Sequence, residues 1–137
     1  MRLFKVKWFA RFARSERIDD KSLSEAILRA ARGLVDADLG GGLIKQRIAR
    51  QGRGRSGGYR TIIAYREKER AVFLYGFAKS ERENIEPDEL EALRLVARDW
   101  LAATPERIEA ALEDGTIQEI RHDEEEEDAE SVAHGDP

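Results

Sequence analysis

Apolar and charged residues alternate over residues 3–7 (LFKVK), a period of two that predicts a short first strand. Trp8, Phe9 and Phe12 then recur at near-helical spacing, with Ala10 and Ala13 between them, so a short helix is expected through about Ser15. In the next segment Leu23, Ala26, Ile27, Ala30, Leu34 and Val35 form one apolar stripe of a second helix. Asp20 or Ser22 is expected to cap it, Ser22 with Glu25 as a capping box, and Gly40, Gly41 and Gly42 to lie beyond its end. Residues 43–48 alternate again: Leu43, Lys45 and Arg47 point one way, and Ile44, Gln46 and Ile48 the other. Residues 51–58 (QGRGRSGG) offer little apolar surface and read as a mobile loop.

Two longer strands follow over residues 59–66 and 71–78, joined by the charged turn 67–70 as an antiparallel hairpin. A long amphipathic helix is predicted from Pro87 to about Ala103, burying Leu90, Leu93, Val96, Ala97, Trp100 and Leu101. Thr104 and Pro105 start a further short helix that stops at Gly115, and residues 116–120 suit a last edge strand. This order predicts one α+β domain, its helices packed on one face of a small, mainly antiparallel sheet and the other face free for a partner.

Charge changes the picture. The chain is −4 overall, but residues 43–82 hold eleven of its 24 Lys and Arg against three acids, a net of +8. Residues 123–136 carry eight acids and no Lys or Arg, which leaves residues 1–122 at +4. The expected organisation is a folded domain over residues 1–120 and an acidic, disordered tail over 121–137. The tail serves solubility, or competes with an anionic partner for the basic sheet. No apolar run reaches the ~20 residues of a membrane span, and the start MRLFKVKWFARFAR has charges threaded through its apolar positions. A cytoplasmic protein is expected.

A positive sheet on an acidic chain points to an anion such as nucleic acid. The absence of cysteine excludes disulfides, thiolate chemistry and cysteine zinc sites. The two histidines, His122 and His134, lie at the edge of and inside the acidic segment, which argues against a paired-histidine ribonuclease or a histidine metal site. No metal or cofactor is expected. Metal-free RNA cleavage needs a base for the 2′-hydroxyl, cations for the phosphorane and an acid for the leaving oxygen. Arg suits the phosphorane because its planar guanidinium pairs bidentately with phosphate. Candidates for this chemistry are Lys45 and Arg47 on one strand face, Tyr59 and Arg60 opening the next strand, and Lys79, Glu81 and Arg82 leaving the last. Arg50, Arg53 and Arg55 are candidates for gripping phosphates, and Phe77 for contacting the RNA beside the basic strand exit. Each cation also has a plainer reading as solvated surface, and Tyr65, Phe73 and Tyr75 read as core.

A resemblance sharpens this reading. The K-x-R-I-A segment at residues 45–49, the loop-strand G-R-S-G-G-Y-R-T at 54–61 and the strand exit F-L-Y-G-F-A-K-S-E-R-E-N-I at 73–85 resemble the RelE/HigB-like toxins of type II toxin–antitoxin systems. The likeness extends through K-W-F at 7–9, D-L-G-G-G at 38–42 and D-E-L at 88–90, covering roughly residues 1–120. It implies a small RelE-like fold related to microbial ribonucleases, and cleavage of mRNA on the ribosome that stops translation. It also implies neutralisation by a cognate antitoxin, often with a helix-turn-helix domain. The family's basic sheet face matches Lys45, Arg47 and Arg60 in kind, and its charged exit matches Lys79, Glu81 and Arg82. RelE carries consecutive Lys-Arg at that exit where this chain has Lys79-Ser80, so the phosphate-stabilising cation is left open. The same fold serves ParE-like toxins that poison DNA gyrase, and degenerate members that only bind an antitoxin or RNA.

Overall fold

The structure is a computed structural model that describes residues 1–50 and 54–121, with the backbone alone at 54–56. The chain begins with β1 (Arg2–Val6), α1 (Lys7–Glu16) and α2 (Asp20–Ala31). Three strands follow β2 (Ala37–Gly40), namely β3 (Leu43–Arg50), β4 (Gly54–Arg66) and β5 (Arg70–Ala78). It closes with α3 (Pro87–Ala102), α4 (Pro105–Glu113) and β6 (Ile117–Glu119). The strands form one sheet in the order β2-β3-β4-β5-β1-β6. All neighbours are antiparallel except β1 and β5, which run parallel. This is the expected α+β class.

The helices cover both faces, not one. Phe9 and Ala13 of α1 and Leu23, Ala26 and Ile27 of α2 pack with Ile44, Ile48, Ile63 and Phe73 on one side of the sheet. On the other side, Ala97, Trp100 and Leu101 of α3 and Ile108 and Ala111 of α4 pack with Leu43, Ile62, Ala64, Val72 and Leu74. The alternation of Ile62 with Ile63, and of Leu43 with Ile44, sends successive residues into opposite cores. The face expected to be free is therefore occupied by α3 over one end of the sheet.

Several boundaries move for local reasons. Asp19, rather than Asp20 or Ser22, caps α2, accepting from the Ser22 N–H at 2.9 Å. The helix stops at Ala31 because Gly33, at φ +84°, turns the chain in a Schellman motif: Gly33 N–H donates to Ala30 and Leu34 N–H to Arg29. Leu34 is thereby left outside the stripe and 60% exposed. The freed segment makes β2, a strand that the glycines masked. Residues 54–58, expected to be loop, extend β4, and residues 51–53 lie outside the described residues, as does the segment from 122 onward. On α3, Val96 faces outward while Ala97, Trp100 and Leu101 are buried as expected. No helix among the described residues is long and apolar enough to cross a membrane.

Gly76 lets α1 lie directly on β5. A methyl group there would stand 2.7 Å from the Phe12 ring and 3.0 Å from Phe9. Gly76→Ala is expected to lower stability by about 1–3 kcal/mol through overpacking, read as a fall in the urea midpoint without a change in slope.

Candidate nucleic-acid interface

The register of three adjacent strands aligns Arg47 of β3, Arg60 of β4 and Phe77 of β5 in one row across the sheet. The neighbouring row is Lys45, Ile62 and Tyr75. Both rows lie on the α3 side: Ile62 of the second row is buried in the α3 core, and the Arg47 row lies beyond it, toward the end of the sheet. Lys79 continues the β5 ladder, donating its N–H to Gly58 at 3.0 Å, and alternation from Phe77 places it on the same face. Next, the N–H groups of Glu81 and Arg82 both bond to the Ala78 carbonyl, and the reversed chain brings Arg82 back over the strand it has just left. Its guanidinium carbon stands 5.7 Å from the Phe77 ring centre and 5.9 Å from that of Tyr75.

Each cation is held differently. Arg60 is 8% exposed, and burial lowers its pKa, with Arg47 adding to the effect and Asp36 opposing it. Arg47 is half exposed, and the Asp36 carboxylate accepts its backbone N–H at 2.6 Å and stands 4.0 Å from its Nε. Asp36 also lies 3.7 Å from Arg29, which donates to the Arg47 carbonyl. Arg82 donates to Glu89, to the Asn84 carbonyl at 2.7 Å and to the Tyr75 hydroxyl at 3.2 Å. This pairing raises the Arg82 pKa, and Arg82 holds the Glu89 carboxyl below its usual range. Lys45 is partly exposed, and Lys79 and Glu81 are exposed. The result is a buried guanidinium in a rim of reachable cations, suited to a phosphate and its developing charge.

The structure brings Lys45, Arg47, Arg60, Lys79 and Arg82 to one face. Phe77 joins them as the floor under Arg82, 6% exposed, so its ring lies buried rather than open to a base. It does not bring Tyr59 there. Tyr59 belongs to the α1–α2 core, 3% exposed, and its hydroxyl donates to the Glu16 carboxylate at 3.0 Å. Arg50 sits over the Tyr59 ring at 5.7 Å, and the two help line a cleft of about 610 Å³ with Glu16, Asp19 and Ser22. Glu81 exits in the turn between the two groups. Arg53 lies outside the described residues, as does the side chain of Arg55. Sequence reasoning missed Asp36 and Glu89, the carboxylates that set Arg47 and Arg82. Glu89 carried one usable signal, an acid in the first turn of the helix that follows the basic exit.

The family model for the RelE toxin of the RelE / RelB toxin-antitoxin system matches residues 1–120. No curated protein sequence matches the chain.

Tyr59→Phe is expected to cost about 0.5–1.5 kcal/mol of stability, one hydrogen bond, and to leave RNA binding within about twofold, since its hydroxyl faces away from the cationic row. Burial raises the pKa of both Tyr59 and Tyr65. The fold therefore favours the neutral phenols, and that contribution, fully present below the ordinary tyrosine pKa of ~10, is lost as pH rises through the higher folded values. Denaturation midpoints should fall across that alkaline window, less steeply in Tyr59→Phe.

Proposed function

The chain belongs to the RelE toxin family, and we propose that it is a metal-independent endoribonuclease that cuts mRNA on the ribosome and so inhibits translation. The family implies an antitoxin partner; a helix-turn-helix antitoxin is part of the proposal.

One observation supports the nuclease reading above the others: Arg47 and Arg60, directly opposite each other on adjacent strands, share one face with Lys45, Lys79 and Arg82. Like charges in register destabilise a sheet, and here one of the pair is also desolvated. Such a concentration of positive charge suits an RNA phosphate, whose charge it neutralises. Arg82, steered by Glu89, adds a third guanidinium at the same row. In the proposed reaction the ribose 2′-oxygen attacks the adjacent phosphorus, the bond to the 5′-oxygen breaks, and a 2′,3′-cyclic phosphate remains. Arg47, Arg60 and Arg82 stabilise the charge on the non-bridging oxygens. Lys45 and Lys79 on this face are the groups assigned to the two proton transfers, and Glu81 stands in the adjoining turn.

Arg60→Ala or Arg82→Ala is expected to slow cleavage ~100-fold or more, the size of losing one preorganised donor to a developing charge. Primer extension on mRNA from translating ribosomes reads the cut. Cutting should persist in EDTA at concentrations that leave ribosomes intact. Full activity of Arg60→Ala, Arg82→Ala and Lys79→Ala together would move the site elsewhere. Intact mRNA with arrested DNA replication after induction would replace the nuclease reading with a gyrase-directed one.

A further inference from the structure

Trp8 is a large apolar side chain left 42% exposed, and its position ties it to the cationic face. β1 pairs with β5 only as far as Lys5 opposite Phe73, after which the chain turns into α1. Trp8 fills the place beside β5 that β1 vacates. Its ring stacks on Tyr75 at 4.7 Å between centres and 25° between planes, and on Phe12 at 5.5 Å and 10°. Tyr75 in turn accepts from Arg82, and its ring lies 6.2 Å from that of Phe77. An unbroken series of rings and guanidinium groups therefore runs from Arg47 through Arg60, Phe77, Arg82 and Tyr75 to Trp8.

The charge continues beyond it. Lys7, Arg11 and Arg14 are exposed on the outer side of α1, on the surface adjoining Trp8, and no acid intervenes before Glu16. A flat exposed ring between two groups of cations is the arrangement that holds single-stranded nucleic acid, with phosphates on the cations and a base on the ring.

We propose that Trp8 is a base-stacking platform for the RNA strand as it passes from the cationic sheet face onto α1. The inference rests on the reading of that face as RNA-binding. It adds a contact that is blind to base identity and helps hold one nucleotide beside the reacting phosphate.

Tryptophan fluorescence offers a direct test, because the chain has two tryptophans and the other, Trp100, is 8% exposed beneath Arg107. The full-length protein is titrated at low salt with a 2′-O-methylated single-stranded RNA, which cannot be cleaved. Emission should be quenched in the parent and not in Trp8→Leu, whose Kd should rise on the order of 10-fold. Trp8→Phe keeps a ring and should stay within about threefold of the parent, which separates loss of stacking from loss of fold. RNA with abasic positions should bind the parent more weakly and Trp8→Leu no differently. Equal affinity of Trp8→Leu and the parent, with Arg47→Ala still weakened, would overturn the platform and leave the cationic reading standing. Failure of the parent and every variant to bind RNA would overturn both. Normal RNA binding by Trp8→Leu with loss of a co-expressed antitoxin would make this a protein-docking surface and also overturn the proposal.

Discussion

The amide of Gln46 sets the position of the cationic face. Its side chain is fully buried in β3 and bonds to three separate backbone groups. The nitrogen donates to Ala26 of α2 at 2.8 Å and to Leu34 at 3.2 Å, and the oxygen accepts from the Asp36 N–H at 2.7 Å. Both N–H groups and one acceptor position of the amide are thus used, which makes a buried polar group a tie instead of a cost. The tie fixes residues 34–36 against β3. Asp36 then holds the backbone and side chain of Arg47, the next residue along the strand from Gln46. A core contact on one face of the sheet thereby orients a cation on the other.

The same chain shows two answers to one electrostatic problem. Arg66 and Arg70 also face each other in register, at the hairpin end of β4 and β5. There the fold supplies the negative ends itself: Arg66 donates to the Leu101 carbonyl, and Arg70 to those of Trp100 and Ala103. These carbonyls stand at the C-terminus of α3, where the helix dipole favours cations. At the Arg47–Arg60 end the Tyr59 carbonyl accepts from Arg60 at 3.4 Å, Asp36 holds Arg47, and Glu89 holds Arg82 at the rim. A pair of facing arginines is therefore not itself a binding signature; what lies against it decides.

Most of the element order was legible because the signals were local. Pro87 and Pro105 open helices, Thr104 caps α4 by accepting the Arg107 N–H, and the 67–70 turn joins β4 to β5. Burial on both faces has its own signal, which outweighs the expectation of a free face. The runs T-I-I-A-Y and A-V-F-L-Y-G-F are continuous in apolar residues, where a sheet with one wet face alternates. β2 was not legible: four residues ending in glycine carry no periodicity, and its place comes from Gln46 across twenty residues of sequence from α2. The site was legible by charge type but not by side. Tyr59 and Arg60 are adjacent in sequence, and alternation alone sends one into the α1–α2 core and the other to the cationic row. Trp8 shares its helical spacing with Phe9 and Phe12, and that spacing does not tell that β1 ends early beside β5.

The position of β1 bears on how the molecule assembles. The first strand is held between β5 and the last, β6: Phe4 pairs with Val72 on one side and with Glu119 on the other. The β3–β4–β5 meander consists of near neighbours and is able to form early, whereas β1 has to wait for partners far along the chain. Closing such loops costs entropy before any contact repays it, which slows folding. Until β6 docks, one edge of β1 stays unpaired, while Ile117 and Ile120 have yet to enter the two cores they complete. Unfinished strand edges invite pairing with other chains. By contact separation alone, the cationic face belongs to the part of the sheet closed by near neighbours, and the opposite edge to the part closed last in the sequence.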